Sequence, residues 1–245
     1  METFQNYLHH FLFGYYPYIC LSVFFLGSLV RFDRDQFSWR SGSSEMLRKR
    51  SLVIGSNLFH VGVLVVLFGH FFGLLTPASL IHAVGFTDSD HATLAMVAGG
   101  VFGSIAWIGL TILMHRRLFD HRIRRTSNSM DIAILILIWI QLTIGLSTIH
   151  FSWETRHNPV DMVAMAEWTQ HIVTFRAGAS DLIMDVPLDY KVHLVLGMTV
   201  LFLLAPFSRL VHIWSAPIWY LGRSYQVMRA PRGQGARRGV GWRFK

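Results

Sequence analysis

Apolar residues dominate five stretches of this chain, 11–30, 52–77, 93–114, 130–149 and 191–214, and charge, glycine or proline returns between them. Roughly 20 helical residues cross a hydrocarbon layer of about 30 Å. Each stretch is long enough, so the pattern predicts an all-α integral membrane fold of five transmembrane helices. The connections are short except for 150–190. Inside it, Asn158 and Pro159 followed by Asp161 read as an N-cap, a proline at the first helical position and an acid in the first turn. A short helix over 159–173 is therefore expected on the outer surface, with Met162, Met165 and Val173 turned to the membrane or the bundle.

Composition agrees with a bilayer as the main partner. The 245 residues are 52% hydrophobic and 15% charged, which leaves too little polar surface for a soluble protein of this size. The charges orient the helices. Residues 31–50 carry six Lys or Arg, 115–129 carry five and 215–245 carry seven, so eighteen of the 22 basic residues fall in alternate connections. The positive-inside rule puts those connections in the cytoplasm, with the N-terminus outside and the C-terminus inside. The net charge of +8 then reports topology, and no nucleic-acid partner is expected. The start, METFQNYLHH, has no basic n-region and no small-residue cleavage site, so the first segment is expected to be a retained helix. Residues 1–230 form the membrane domain. Residues 231–245 are rich in Gly and Arg and are expected to be a flexible basic tail unless a partner orders them.

The candidate chemistry lies in histidines. Of thirteen, four sit inside apolar stretches: His60 and His70 in the second, His193 and His212 in the fifth. An ionisable group inside a bilayer is costly and needs a partner, and imidazole is a good axial ligand for haem iron. Ten residues separate His60 from His70, a rise of about 15 Å, so they cannot share an iron. Nineteen separate His193 from His212, a rise of about 28 Å. The two helices run in opposite senses, which pairs His70 with His193 near the outer face and His60 with His212 near the cytoplasmic face. Two haems between helices two and five follow, with irons roughly 22 Å apart along the membrane normal. The unequal rises imply tilted helices, and Pro206 is a bend point between the ligands of the fifth. Gly55, Gly62 and Gly69 recur every seven residues, a stripe that admits a flat ring or a neighbouring helix. Arg209, one turn before His212, can meet a haem propionate or simply mark the membrane interface. A proton or zinc transporter would add intramembrane carboxylates, and the only acid near a core segment is Asp131. The lone Cys20 cannot hold an iron–sulfur cluster, so any such cluster belongs to a partner.

At SNLFHVGVLVVLFGHFFGLLTP and HLVLGMTVLFLLAPFSRLVHIWSAP the chain closely resembles the gamma subunit of respiratory nitrate reductase, a five-helix di-haem cytochrome b. GSLVRFDRDQFSWRSGSSEML, AMVAGG and VTFRAGAS extend the resemblance over about 15–230. It implies two haem b groups in a prokaryotic plasma membrane, the one nearer the cytoplasm held by His60 and His212 and the outer one by His70 and His193. It also implies quinol, ubiquinol or menaquinol, as substrate at the outer haem. The implied partners are a cytoplasmic iron–sulfur subunit and a molybdenum subunit that reduces nitrate. The family often carries a lysine for quinol in the outer loop between helices two and three. Here TDSDHATLAM offers His91 instead. An imidazole titrating near neutrality can hold a quinol oxygen and relay its proton, so Gly69, His70 and His91 are the expected quinol-site residues. Two rivals stand beside this reading: the similar di-haem anchors of heterodisulfide- and sulfite-reductase-type complexes, and a haem-free anchor or transporter.

Overall fold

A computed structural model describes residues 2–35, 49–125 and 127–214. The basic segment 36–48 and the tail 231–245 lie outside the described residues. Those described are helical throughout, with no strand among them. Four helices are long and apolar enough to cross a membrane, so the chain is a multi-pass membrane protein: Thr3–Arg34 (α1), Arg50–Leu75 within Lys49–Leu75 (α2), Asp88–Phe119 (α4) and Ser129–Glu154 (α6). Short helices Ala78–Ala83 (α3) and His121–Arg125 (α5) lie between them. Val160–Val173 (α7), Ala179–Leu182 (α8) and Leu188–Met198 (α9) follow.

The helices overrun the apolar stretches because local chemistry, not hydropathy, sets their ends. At the start of α4, Thr87 Oγ1 accepts from Asp90 N at 3.2 Å while Thr87 N donates to Asp90 Oδ2 at 3.0 Å, a reciprocal capping box. The start of α6 is capped by Asn128, whose Oδ1 accepts from Met130 N at 3.2 Å. Pro17 interrupts α1 from within. It has no N–H for the Phe13 carbonyl, the backbone widens into a π turn over Phe11–Tyr15, and the buried Trp168 indole donates to Phe13 O at 2.9 Å. That bond ties α7 to α1 inside an apolar cluster of Phe13, Trp168, Ile172, Ile183 and Tyr190.

Two expectations are corrected. The helix expected over 159–173 forms as Val160–Val173, but Pro159, not Asn158, is its N-cap residue, and no side chain caps it. Its buried anchors are Trp168 and Ile172, while Val173 is exposed. The fifth stretch, 191–214, is not one continuous helix. It runs as α9, a π turn over Thr199–Leu203, a 3-10 turn over Ala205–Phe207, an extended Ser208 and a second 3-10 turn over Arg209–Ile213. Pro206 is the physical cause: it lacks a donor and its ring clashes with the preceding turn. What was expected as a bend is a break.

Candidate site: two facing histidine pairs

All four intramembrane histidines come together in the expected pairs. The rings of His70 and His193 have centroids 6.2 Å apart, and those of His60 and His212 are 6.4 Å apart. They are termed the outer and inner pair after the topology read from the charges. Two imidazoles bound to one metal through bonds of about 2 Å stand with centroids about 6.3 Å apart. Both pairs meet that spacing. Among the described residues no three His, Cys, Asp or Glu side chains cluster as a bare ion would need. Two facing imidazoles complete an iron whose other ligands come from a macrocycle, so the donor set fits haem.

Ring orientation is fixed mostly from within each element. His60 Nδ1 lies 2.7 Å from Ser56 O and His70 Nδ1 lies 2.8 Å from Val66 O, both one turn back along α2. A carbonyl can only accept, so each Nδ1 carries the proton and Nε2 is left with its lone pair free to bind a metal. His212 achieves the same with the carbonyl of Arg209, three residues back, the spacing a 3-10 turn provides. His193 is the exception: its Nδ1 is buried without a partner. Gln141 of α6 lies against it, its amide nitrogen donating to His193 O at 3.0 Å.

The segment carrying His212 is held by the far end of α1. Arg31 Nη1 donates to Pro206 O at 2.6 Å and Ser208 O at 3.0 Å, carbonyls that the broken helix leaves open. Trp214 Nε1 donates to Ser28 Oγ at 3.0 Å, and its ring stacks on Phe24 at 5.0 Å. Arg209 is in electrostatic contact with Arg117 and Asp131, which pair at 3.3 Å. Two arginines, Arg117 and Arg209, thus share the Asp131 carboxylate, and Arg209 also lies in the field of His212.

The glycine stripe divides. A Cβ on Gly62 would stand 2.5 Å from Ala106 N and Phe102 O, and one on Gly55 3.1 Å from Gly109 O, so both serve the close crossing of α2 and α4. Gly69 meets nothing within 4 Å and keeps the space beside His70 open. His91 does not reach Gly69. Its Nε2 lies 3.5 Å from the position of a Cβ on Gly73, one turn further out. The outer end of α2 is also covered by α7, where Gln170 Nε2 donates to Leu74 O and Thr76 O, both at 3.2 Å. On the same helix, burial holds the Asp161 carboxyl above its usual range.

Sequence reasoning missed Arg31, Gln141, Gly73, Gly145 and Gly197. A Cβ on Gly145 would come within 2.7 Å of His193 Cε1, so the outer pair needs that glycine. Its signal was present only as a glycine on the fourth apolar stretch, which says nothing of what it faces.

Residues 9–231 match the family model described as nitrate reductase gamma subunit. The chain is 48% identical over 227 residues to the respiratory nitrate reductase 2 gamma chain of Escherichia coli (strain K12), a match covering 93% of this chain and 99% of that one. It is 46% identical over 226 residues to the respiratory nitrate reductase 1 gamma chain of the same organism, covering 92% and 99%. It is 41% identical over 218 residues to the nitrate reductase gamma chain of Bacillus subtilis (strain 168), covering 89% and 96%.

Proposed function

Because the chain belongs to the nitrate reductase gamma subunit family, we propose that it is the quinol-oxidising, di-haem cytochrome b subunit of a respiratory nitrate reductase. The observation that carries this reading is the two pairs of facing imidazoles, at 6.2 and 6.4 Å, on two apolar segments. His70 and His193 hold the outer haem b, and His60 and His212 the inner one. When bound, the haems supply a one-electron path from the outer face to the iron–sulfur and molybdenum subunits on the cytoplasmic side. The chain crosses the plasma membrane five times, the broken fifth segment included, with its N-terminus outside.

The chain's own residues divide the work. The Nδ1 bonds of His60, His70 and His212 hold the rings in one tautomer, so ligation costs no rotation. Arg209, in its cluster with Arg117 and Asp131, would supply the cation for a propionate of the inner haem. Gly69 leaves room for a quinol head beside His70, and His91 stands one turn outward, where it accepts a proton on the outer side. Release there and electron delivery inward separate charge across the membrane.

A pyridine haemochrome assay on the purified chain is expected to give two haem b per chain, and none would sink the reading. His91→Ala is expected to leave both haem spectra and dye-driven nitrate reduction of the complex unchanged while quinol-driven reduction falls sharply. Parental quinol-driven turnover in that variant would remove His91 from the quinol site.

A further inference from the structure

We propose that Gln141 is the positioning residue of the outer pair: its side-chain carbonyl Oε1 accepts the ring N–H that His193 keeps when its other ring nitrogen binds iron. The inference rests on the di-haem reading above and adds a residue from a helix that carries no axial histidine.

An imidazole bound through one nitrogen carries its proton on the other. That N–H is donated to a carbonyl, carboxylate or water, which fixes the ring and raises its basicity toward the metal. His60, His70 and His212 each have a carbonyl of their own element for this purpose. His193 has none, and its Nδ1 is buried without a partner. The polar group lying against it is Gln141, 52 residues away in sequence, whose amide nitrogen is 3.0 Å from His193 O and 3.4 Å from His193 Nε2. The other end of that amide, Oε1, is also buried and has no donor. A buried donor and a buried acceptor, each unmatched, belong to two side chains already in contact. Exchanging the two ends of the amide or turning the ring joins them.

The contact is built from both sides. Gly145 lies one turn beyond Gln141 on α6, and Gly197 lies one turn beyond His193 on α9. A Cβ on Gly145 would stand 2.7 Å from His193 Cε1, and a Cβ on Gly197 would stand 2.9 Å from Gln141 Nε2. Each helix therefore omits a side chain where the other lays its polar group. The same two-position pattern, a polar residue followed four positions later by glycine, occurs on both helices, and the two interlock because the helices run antiparallel. Packing of α6 on α9 alone would need the amide-to-backbone bond but not a second unmatched acceptor beside the ring.

The test uses the full complex with Gln141→Leu and Gln141→Glu, titrated by potential while haem absorbance is followed. The outer haem is identified by its loss in His193→Ala. Removing the acceptor makes the imidazole a weaker donor to ferric iron, so the outer midpoint potential is expected to rise in Gln141→Leu. A carboxylate is the stronger acceptor, so in Gln141→Glu it is expected to fall below the parent value. The inner midpoint stays put in both. An unchanged outer midpoint in a Gln141→Leu complex that keeps two haems overturns the inference and leaves the di-haem reading intact. Should Gln141→Leu lose the outer haem, Gln141→Glu decides: a lowered outer midpoint supports the inference, and the parent value overturns it. A parent complex without haem overturns both.

Discussion

The outer and inner histidine pairs have nearly the same ring separation, 6.2 and 6.4 Å, and are built in opposite ways. The outer pair joins two regular helices, and its precision comes from subtraction: Gly145 removes a side chain so that Cε1 of the His193 ring can approach α6 closely. The inner pair joins a regular helix to a segment that has stopped being one, and its precision comes from addition. There Arg31, Ser28 and Phe24 of α1 take hold of Pro206, Ser208 and Trp214. A regular helix satisfies its own backbone, so a neighbour need only fit its surface. A broken one exposes carbonyls, and the neighbour must supply donors. The difference also accounts for the mismatch in rise, about 15 Å between the histidines of α2 against about 28 Å for a straight helix from His193 to His212. The segment from His193 to His212 is not that straight helix, since it is interrupted around Pro206.

The strongest break of the comparison is removal of one ligand from each pair. His193→Ala is expected to lose the outer haem and keep the inner, and His212→Ala the reverse, read by haemochrome content and redox titration. Equal loss of both haems in either variant would mean that the pairs are not independent. Next in size is Gly145→Ala. Overpacking costs about 1–3 kcal/mol, so outer-haem affinity is expected to fall roughly 10- to 100-fold, with the inner haem unmoved. Retention of each haem through dilution in detergent measures it. Arg31→Met inverts the pattern. Two bonds from one guanidinium are lost, at about 2 kcal/mol after allowing for partial exposure, and the inner haem is expected to leave first on heating. Smallest is Trp168→Phe, which strips the donor from Phe13 O. It is expected to cost about 1 kcal/mol, visible as a melting point a few degrees lower with both haems retained.

Much of this site was legible in the sequence because intramembrane histidines are expensive and few. His60, His70, His193 and His212 stand out against apolar neighbours, the charge asymmetry gives the helices their sense, and the sense dictates the pairing. The surface helix was legible from Pro159 and Asp161, though the cap itself slipped by one residue. What stayed hidden is what depends on the identity of a neighbour. Gly55 and Gly62 proved to face α4, Gly145 to face His193 and Gly69 to face open space, and nothing in one chain's spacing separates those cases. Gln141 is one polar residue in an apolar run, whose meaning exists only across from His193. Pro206 announced an irregularity but not its extent, because a proline permits a kink, a wide turn or a break, and the donors on α1 decide among them.

The interruption around Pro206 also bears on how the polypeptide enters the bilayer during synthesis. A segment holding Pro206, Ser208 and Arg209 in its second half is a poorer substrate for the translocon than an unbroken apolar run, since the proline interrupts the helix and the arginine brings charge toward its end. By contrast α6 carries no Lys or Arg and keeps its acids, Asp131 and Glu154, to its ends. The fifth segment therefore leans on its neighbours. The face that receives it, Phe24, Gly27, Ser28 and Arg31, belongs to α1, which leaves the ribosome before it. Synthesis order thus puts the mould in the membrane before the piece that must be cast against it.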